Sequence, residues 1–237
     1  QHIAGHLLKV DPATVAFALR EWREVFSALP RLNAILVPGG DPGSTPPRLL
    51  MNMLSKQAEQ LKGIHPEATW WVAPQGFSAQ RMQEFVSILR DEQPAWLTGV
   101  AQGPWIHMTM ADFRTLIPER YPIRNYPDIT HTLSCQYPVP DWDVACALTI
   151  GREPVNPRPT DEAAIFAASQ PGTIGFLCYC EGCHDDVNKI VWSSLGWDPN
   201  TPVIDILREY SRYFIGERYA DDFAQGLLAL ERNWRGP

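Results

Sequence analysis

Ala34-Ile35-Leu36-Val37-Pro38-Gly39-Gly40 is an uninterrupted apolar run stopped by a proline and two glycines, the pattern of a strand buried on both faces of a parallel sheet. The flanking chain follows from it. Upstream, Asp11-Pro12 supplies an N-cap and an N1 proline for a helix whose apolar positions run through Phe17, Trp22 and Phe26 and stop at Pro30. Downstream, Leu50, Met53, Leu54 and Leu61 mark one side of a second helix.

The unit then repeats. Thr69-Trp70-Trp71-Val72 reads as a strand, with Met82, Phe85, Val86 and Leu89 on the helix after it. Trp96-Leu97-Thr98-Gly99-Val100 is expected as the third strand, followed by a short helix around Phe113 and Leu116. Tyr121-Pro122-Ile123-Arg124-Asn125-Tyr126 is expected as the fourth, with proline near its start, where a missing N–H is tolerated. A Pro-rich loop, a helix from Ala163 to Ala168 and a fifth strand at Thr173-Ile174-Gly175-Phe176-Leu177 complete the series.

Strands alternating with helices imply parallel βαβ units, in an open doubly wound sheet or a barrel. The expected class is α/β: residues 1–196 as the later part of a (β/α)8, TIM-type barrel with about five βα units, and 197–237 as a C-terminal helical extension. An N-terminal part of the same protein is then the expected partner, supplying about three further strands. Two helices fit the extension, one carrying Ile204, Leu207, Tyr210 and Phe214, the other Phe223, Leu227, Leu230 and Trp234, with Gly216 as the stop between them.

Composition narrows the partners. The 237 residues are 45% hydrophobic and 20% charged, enough apolar material for a sizeable core. A net charge of -7 without any Lys/Arg run argues against a nucleic-acid partner. No apolar run approaches the roughly 20 residues that span a bilayer, so no membrane partner is expected. Nine Trp residues supply faces suited to stacking on sugars, although core packing accounts for most of them.

In parallel α/β architectures, catalytic groups sit beyond the C-terminal ends of the strands. Three such segments carry carboxylates: Val37 to Pro47 with Asp41 between glycines, Tyr126-Pro127-Asp128-Ile129-Thr130-His131, and Glu181-Gly182-Cys183-His184-Asp185-Asp186-Val187-Asn188-Lys189. Cleaving a glycosidic bond takes one carboxyl group to protonate the leaving oxygen and a second to activate water or attack the sugar. Glu181, Asp128 and Asp41 are the catalytic candidates. His131, Gln136, Asn188, Asp185, Trp105, Trp142 and Tyr179 are the candidates for binding sugar hydroxyls and ring faces.

Simpler roles stand beside these. Asp41 can shape a Gly-Pro turn, Asp128 can bond local backbone, and Asp185 or Asp186 can cap the following helix. Glu181 ends an apolar strand beside Gly182, where no helix-face or turn role explains it. Cys180-Glu181-Gly182-Cys183-His184 satisfies C-x-x-C-H, and with Cys178 it offers a zinc ligand set. Buried free cysteines on a strand explain Cys178 and Cys180 equally, and no metal or cofactor is expected.

Tyr179-Cys180-Glu181-Gly182 with Asp185 to Lys189, then Trp197-Asp198-Pro199-Asn200, Ile206-Leu207-Arg208-Glu209-Tyr210 and Tyr213-Phe214-Ile215-Gly216, give an arrangement that resembles one group of glycoside hydrolases. These have a (β/α)8 catalytic barrel followed by a helical C-terminal region, as in α-glucuronidases and β-N-acetylhexosaminidase-like enzymes. The resemblance runs from about Ala34 to Trp234. It implies a carbohydrate substrate and that Asp41, Asp128 and Glu181 correspond to carboxylates lining the pocket. The expected reaction is hydrolysis through an oxocarbenium-like transition state, with Glu181 as the leading acid/base candidate and Asp41 or Asp128 as its partner. The adjacent Asp-Glu pair of typical hexosaminidases does not occur in a strand-end segment. Two rival expectations are a metal-dependent hydrolase using Cys178, Cys180, Cys183 and His184, and a non-catalytic carbohydrate-binding protein stacking sugars on Trp105, Trp142 and Tyr179.

Overall fold

The computed structural model describes residues 12–41, 45–130, 136–137, 157–180 and 186–233. The chain divides into two compact units, Gln1–Arg124 and Asn125–Pro237. It is an α/β protein with parallel sheet, and among the described residues no helix is long and apolar enough to cross a membrane.

In the first unit, the elements are α1 (Pro12–Ala28), β1 (Ala34–Pro38), α2 (Pro47–Ile64), β2 (Thr69–Ala73), α3 (Ala79–Ser87) running into a π-turn at Ile88–Glu92, β3 (Gly99–Gln102), α4 (Met110–Leu116) and β4 (Ile123–Asn125). The side-chain oxygens of Ser78 and Thr109 cap α3 and α4 by accepting from the backbone N–H groups of Arg81 and Asp112. The strands lie in the order β1-β2-β3-β4, with Val37 opposite Val72 and Val72 opposite Val100.

Alternation along the strands then decides what packs where. Ile35, Val37, Trp70, Val72, Val100 and Ile123 join one core with Phe26 of α1, Met51, Leu54 and Leu61 of α2, Met82 and Phe85 of α3, and Phe113 of α4. All four helices therefore cover the same face of the sheet. Strand positions of the opposite parity, Trp71, Ala73 and Ala101, are also buried. A doubly wound sheet has helices on both faces and a reversal in strand order. Neither occurs among these strands.

The turn after β1 depends on its two glycines. Gly39 N–H donates to Ala73 O at 2.7 Å and Gly40 N–H to Gln75 O at 2.8 Å. A Cβ on Gly39 would lie 2.8 Å from Ala73 O, and one on Gly40 2.3 Å from Gln75 O, so neither position has room for a side chain.

In the second unit, β5 (Asp128–Thr130) pairs in parallel with β6 (Tyr179–Cys180), and Asn125 forms a parallel bridge with Phe176. The helices are α5 (Pro159–Ser169), α6 (Asp186–Trp197), α7 (Val203–Phe214) and α8 (Ala220–Arg232), with a 3-10 turn at Glu217–Tyr219. Ile129, Phe166, Trp192, Leu195 and Ile206 form one apolar cluster, in which the rings of Phe166, Phe176 and Trp192 meet edge to face. Val187, Leu207, Ala224 and Leu227 form another.

Several expected boundaries move, each for a local reason. The third strand begins at Gly99 rather than Trp96, because Leu97 N–H closes a turn onto Pro94 O. The expected fourth strand is Ile123–Asn125, with a separate Asp128–Thr130 beyond Tyr126-Pro127, whose proline has no N–H to donate. The fifth is displaced from Thr173–Leu177 to Phe176 and Tyr179–Cys180; Ile174 and Leu177 are 62% and 51% exposed, and the Thr173 hydroxyl bonds back to Gln170 O in a turn. In α8 the buried stripe is Ala220, Ala224, Leu227 and Glu231, leaving Phe223 and Leu230 exposed. Gly216, at φ 126°, does end α7.

Gly40→Ala is expected to cost about 2 kcal/mol or more, because its methyl would displace a backbone carbonyl. Gly226→Ala, at a site in α8 where a new Cβ meets nothing within 4 Å, is expected to stabilise by up to about 1 kcal/mol. Urea unfolding of the two variants checks both, and a Gly40→Ala protein as stable as the parent would contradict the close approach.

Candidate functional site

In the first unit the polar side chains gather where strands end. Asp41 follows the Gly39-Gly40 turn; its N–H closes that turn onto Pro38 O at 3.3 Å, and its Oδ2 accepts from Gln75 Nε2 at 3.0 Å. Turn-shaping and side-chain roles thus coexist in one residue. Gln75 is only 5% exposed, and its Oε1 has no hydrogen-bond partner among the described residues. An unsatisfied buried acceptor costs about 1–3 kcal/mol, so this carbonyl is suited to a donor brought by a ligand.

The segment after β3 is held in an unusual shape. Gln102 is buried and donates from Nε2 to Met108 O at 2.8 Å, while buried Ile106 pins the middle of the loop. On either side of Ile106, Trp105 and His107 adopt left-handed backbone with φ of 58° and 52°. Such non-glycine conformations are costly and cluster at binding and catalytic sites. Trp105, expected as a sugar-stacking residue, is 37% exposed here.

The second unit brings three sequence candidates together. Asp128 is fully buried, its backbone N–H donates to Gln136 Oε1 at 2.8 Å, and it sits opposite Tyr179 in the β5–β6 ladder. Carbonyls of Asn125 and Pro127 accept from Leu177 and Tyr179 N–H at 2.9 Å each, fixing that register. The Tyr126 and Tyr179 rings meet edge to face with centroids 6.0 Å apart.

Asn188 belongs to a buried scaffold instead. Its Oδ1 accepts from Arg158 N–H at 2.9 Å, and Arg158 donates to Tyr137 O at 2.7 Å and pairs with Glu162 at 3.5 Å. Glu162 accepts from Trp192 Nε1 at 2.6 Å. Glu231 accepts from the N–H groups of Thr160 and Asp161 at 3.0 and 2.8 Å, a carboxylate placed on the positive end of α5. Asp186 opens α6 and accepts from the Tyr210 hydroxyl at 2.5 Å; burial, followed by that bond and charge, pushes the phenol up to about 12.

Glu181, His131, Trp142, Asp185, Cys183 and His184 lie outside the described residues. Cys178 and Cys180 are free thiols. Burial and then the charge of Glu162 push Cys178 from an ordinary value of 9.0 up to about 12, so the thiol is protonated at neutral pH. Among the described residues, no group of three or more His, Cys, Asp and Glu is placed to hold a metal ion.

Gln75, Gln102, His107, Arg158 and Glu162 were not singled out by the sequence. A signal existed for two of them: Ala73-Pro74-Gln75-Gly76 and Gln102-Gly103-Pro104 repeat the apolar-strand-then-Pro/Gly pattern that marked Asp41. Compared with family models, curated proteins and solved structures, the chain matches none.

The Cys178 thiol is expected to alkylate about a thousandfold more slowly than an ordinary cysteine at pH 8, measured by residue-resolved mass spectrometry. Folding favours its protonated form. That contribution is complete below pH 9 and is lost as pH rises toward 12, so the stability of the parent should fall more steeply there than that of Cys178→Ala.

Proposed function

We propose that residues 1–196 belong to the later part of a (β/α)8, TIM-type barrel followed by a helical extension at 197–237, and that the protein is a glycoside hydrolase using paired carboxylates. Support for the barrel lies in sequential strands whose helices all cover one face, the winding a barrel needs and a doubly wound sheet lacks. The observation that carries the activity is the Asp41–Gln75 pair at the ends of β1 and β2, a carboxylate bonded to a buried amide whose carbonyl awaits a donor. Hydroxyl groups of a sugar supply both donors and acceptors to such a pair.

Each candidate then has a role. Glu181, directly after β6 in sequence, protonates the leaving glycosidic oxygen. Asp128 or Asp41, ionised, attacks the anomeric carbon or takes a proton from the attacking water as the C–O bond breaks. In the first case a glycosyl ester forms and is hydrolysed with Glu181 acting as base; in the second a single displacement inverts the anomer. Trp105 and Gln75 of the first unit, and Tyr179 and Gln136 of the second, are groups of the kind that bind sugar ring faces and hydroxyls.

The test is turnover by the full-length protein on a panel of nitrophenyl glycosides. Glu181→Gln is expected to lower kcat/KM by about a hundredfold or more with the melting temperature retained, and so is whichever of Asp128→Asn and Asp41→Asn removes the partner carboxylate. Parental turnover in Glu181→Gln, Asp128→Asn and Asp41→Asn alike would remove the hydrolase reading.

A further inference from the structure

Helix α1 is fastened near one end only. Phe26, close to its C-terminus, is 1% exposed, and its carbonyl accepts from His65 Nε2 at 2.9 Å. No other described residue of α1 is buried. Between α1 and α2 lies a groove of about 190 Å³, walled by Val15, Ala18 and Trp22 on one side and by Leu49, Met53 and Gln57 on the other.

The walls are mostly apolar. Ala18 leaves the space that a larger side chain would fill, and the Trp22 ring, its centroid 5.6 Å from that of Phe26, supplies an aromatic side. Gln57 is the exception. It is 7% exposed, yet among the described residues its side-chain amide takes no hydrogen-bond partner. The other buried glutamines of known contact are engaged, Gln75 with Asp41 and Gln102 with Met108 O. Unlike Gln60 Oε1, an orphan shut off from solvent, the Gln57 amide retains access, and it lines the groove. A nearly buried amide without a partner is costly, and a ligand in the groove that bonds to it removes that cost.

Volume and chemistry together select the occupant. An apolar cavity of about 150 Å³ takes a benzene molecule, so this groove has room for one ring and a small substituent, and too little for a peptide main chain. The substituent must both donate and accept, because the Gln57 amide offers a carbonyl and an N–H. None of the described residues that line the groove is charged, which favours a neutral ligand. We infer that the groove between α1 and α2 binds a small neutral phenol, its ring against Trp22 and Met53 and its hydroxyl on Gln57. The site stands apart from the hydrolase reading and does not depend on it.

Phenol and toluene match in shape and differ by a hydroxyl in place of a methyl. Titration calorimetry on the full-length protein is expected to show phenol binding about tenfold more tightly than toluene. Gln57→Leu should remove that preference by weakening phenol alone, with a melting temperature at or above the parent's, since an unpaired amide is replaced by an apolar side chain. Ala18→Phe should abolish the binding of both by filling the groove. In the unaltered protein, phenol should slow hydrogen exchange from Val15 to Trp22 and from Leu49 to Gln57, a readout independent of any variant's folding.

Toluene bound as tightly as phenol overturns the inference, and so does the binding of neither up to its solubility. A preference for phenol that persists in Gln57→Leu, or binding that survives in Ala18→Phe, overturns it as well. N-acetyl-tyrosinamide bound more tightly than phenol overturns the assignment to a free small molecule and makes the groove a socket for a partner's tyrosine.

Discussion

The backbone of Gly39 and Gly40 lies directly against the carbonyls of Ala73 and Gln75, and the polar end of the sheet depends on that approach. Two hydrogen bonds draw the turn after β1 onto the turn after β2, with the Phe77 ring packed against both glycines. Asp41 is the next residue, so the same contact delivers its carboxylate to the Gln75 amide. Any side chain on either glycine would push the turns apart and separate the pair. A local absence of two methyl groups thus decides whether this carboxylate and this buried amide can meet.

In the first unit the four described helices lie on one face of the sheet, and the other face has a different composition. The helical face is a continuous apolar core from Phe26 to Ile123. The reverse face combines small residues at Ala73 and Ala101 with the Trp71–Arg124 stack. In the second unit, polar groups are buried where they hold elements together. Arg158, Glu162, Asn188 and Trp192 tie α5 to α6, and Glu231 ties α8 to the first turn of α5. Removing one partner from such a network leaves a buried charge in apolar surroundings, so these residues hold the helices of the second unit together.

Elements with a strong local signal were legible in the sequence. Ala34 to Val37 and Thr69 to Val72 are apolar on both faces and end at Pro or Gly, and both form strands at those positions. The displaced strands had mixed signals. Trp96 and Leu97 have strand-forming side chains, but Pro94 sets a turn that consumes the Leu97 amide. Ile174 and Leu177 are apolar yet exposed, which only tertiary structure determines. Asp41 was visible in the sequence as a carboxylate after the first strand; Asp128, expected beyond the fourth strand, instead opens β5, and its grouping with Gln136 and Tyr179 emerges from pairing that no linear pattern encodes. The positive φ of Trp105 and His107 is a property of the folded backbone alone.

Hydrogen exchange on the full-length protein, with and without a mixture of soluble oligosaccharides, tests most directly whether sugars bind where the strands end. Slower exchange is expected at Gly39 to Asp41, Gln75 to Phe77 and Gln102 to Met108, with the helices of the first unit unchanged. Protection confined to the apolar groove of Val15, Ala18, Trp22, Leu49 and Met53 between α1 and α2, with the strand ends unaffected, would contradict it.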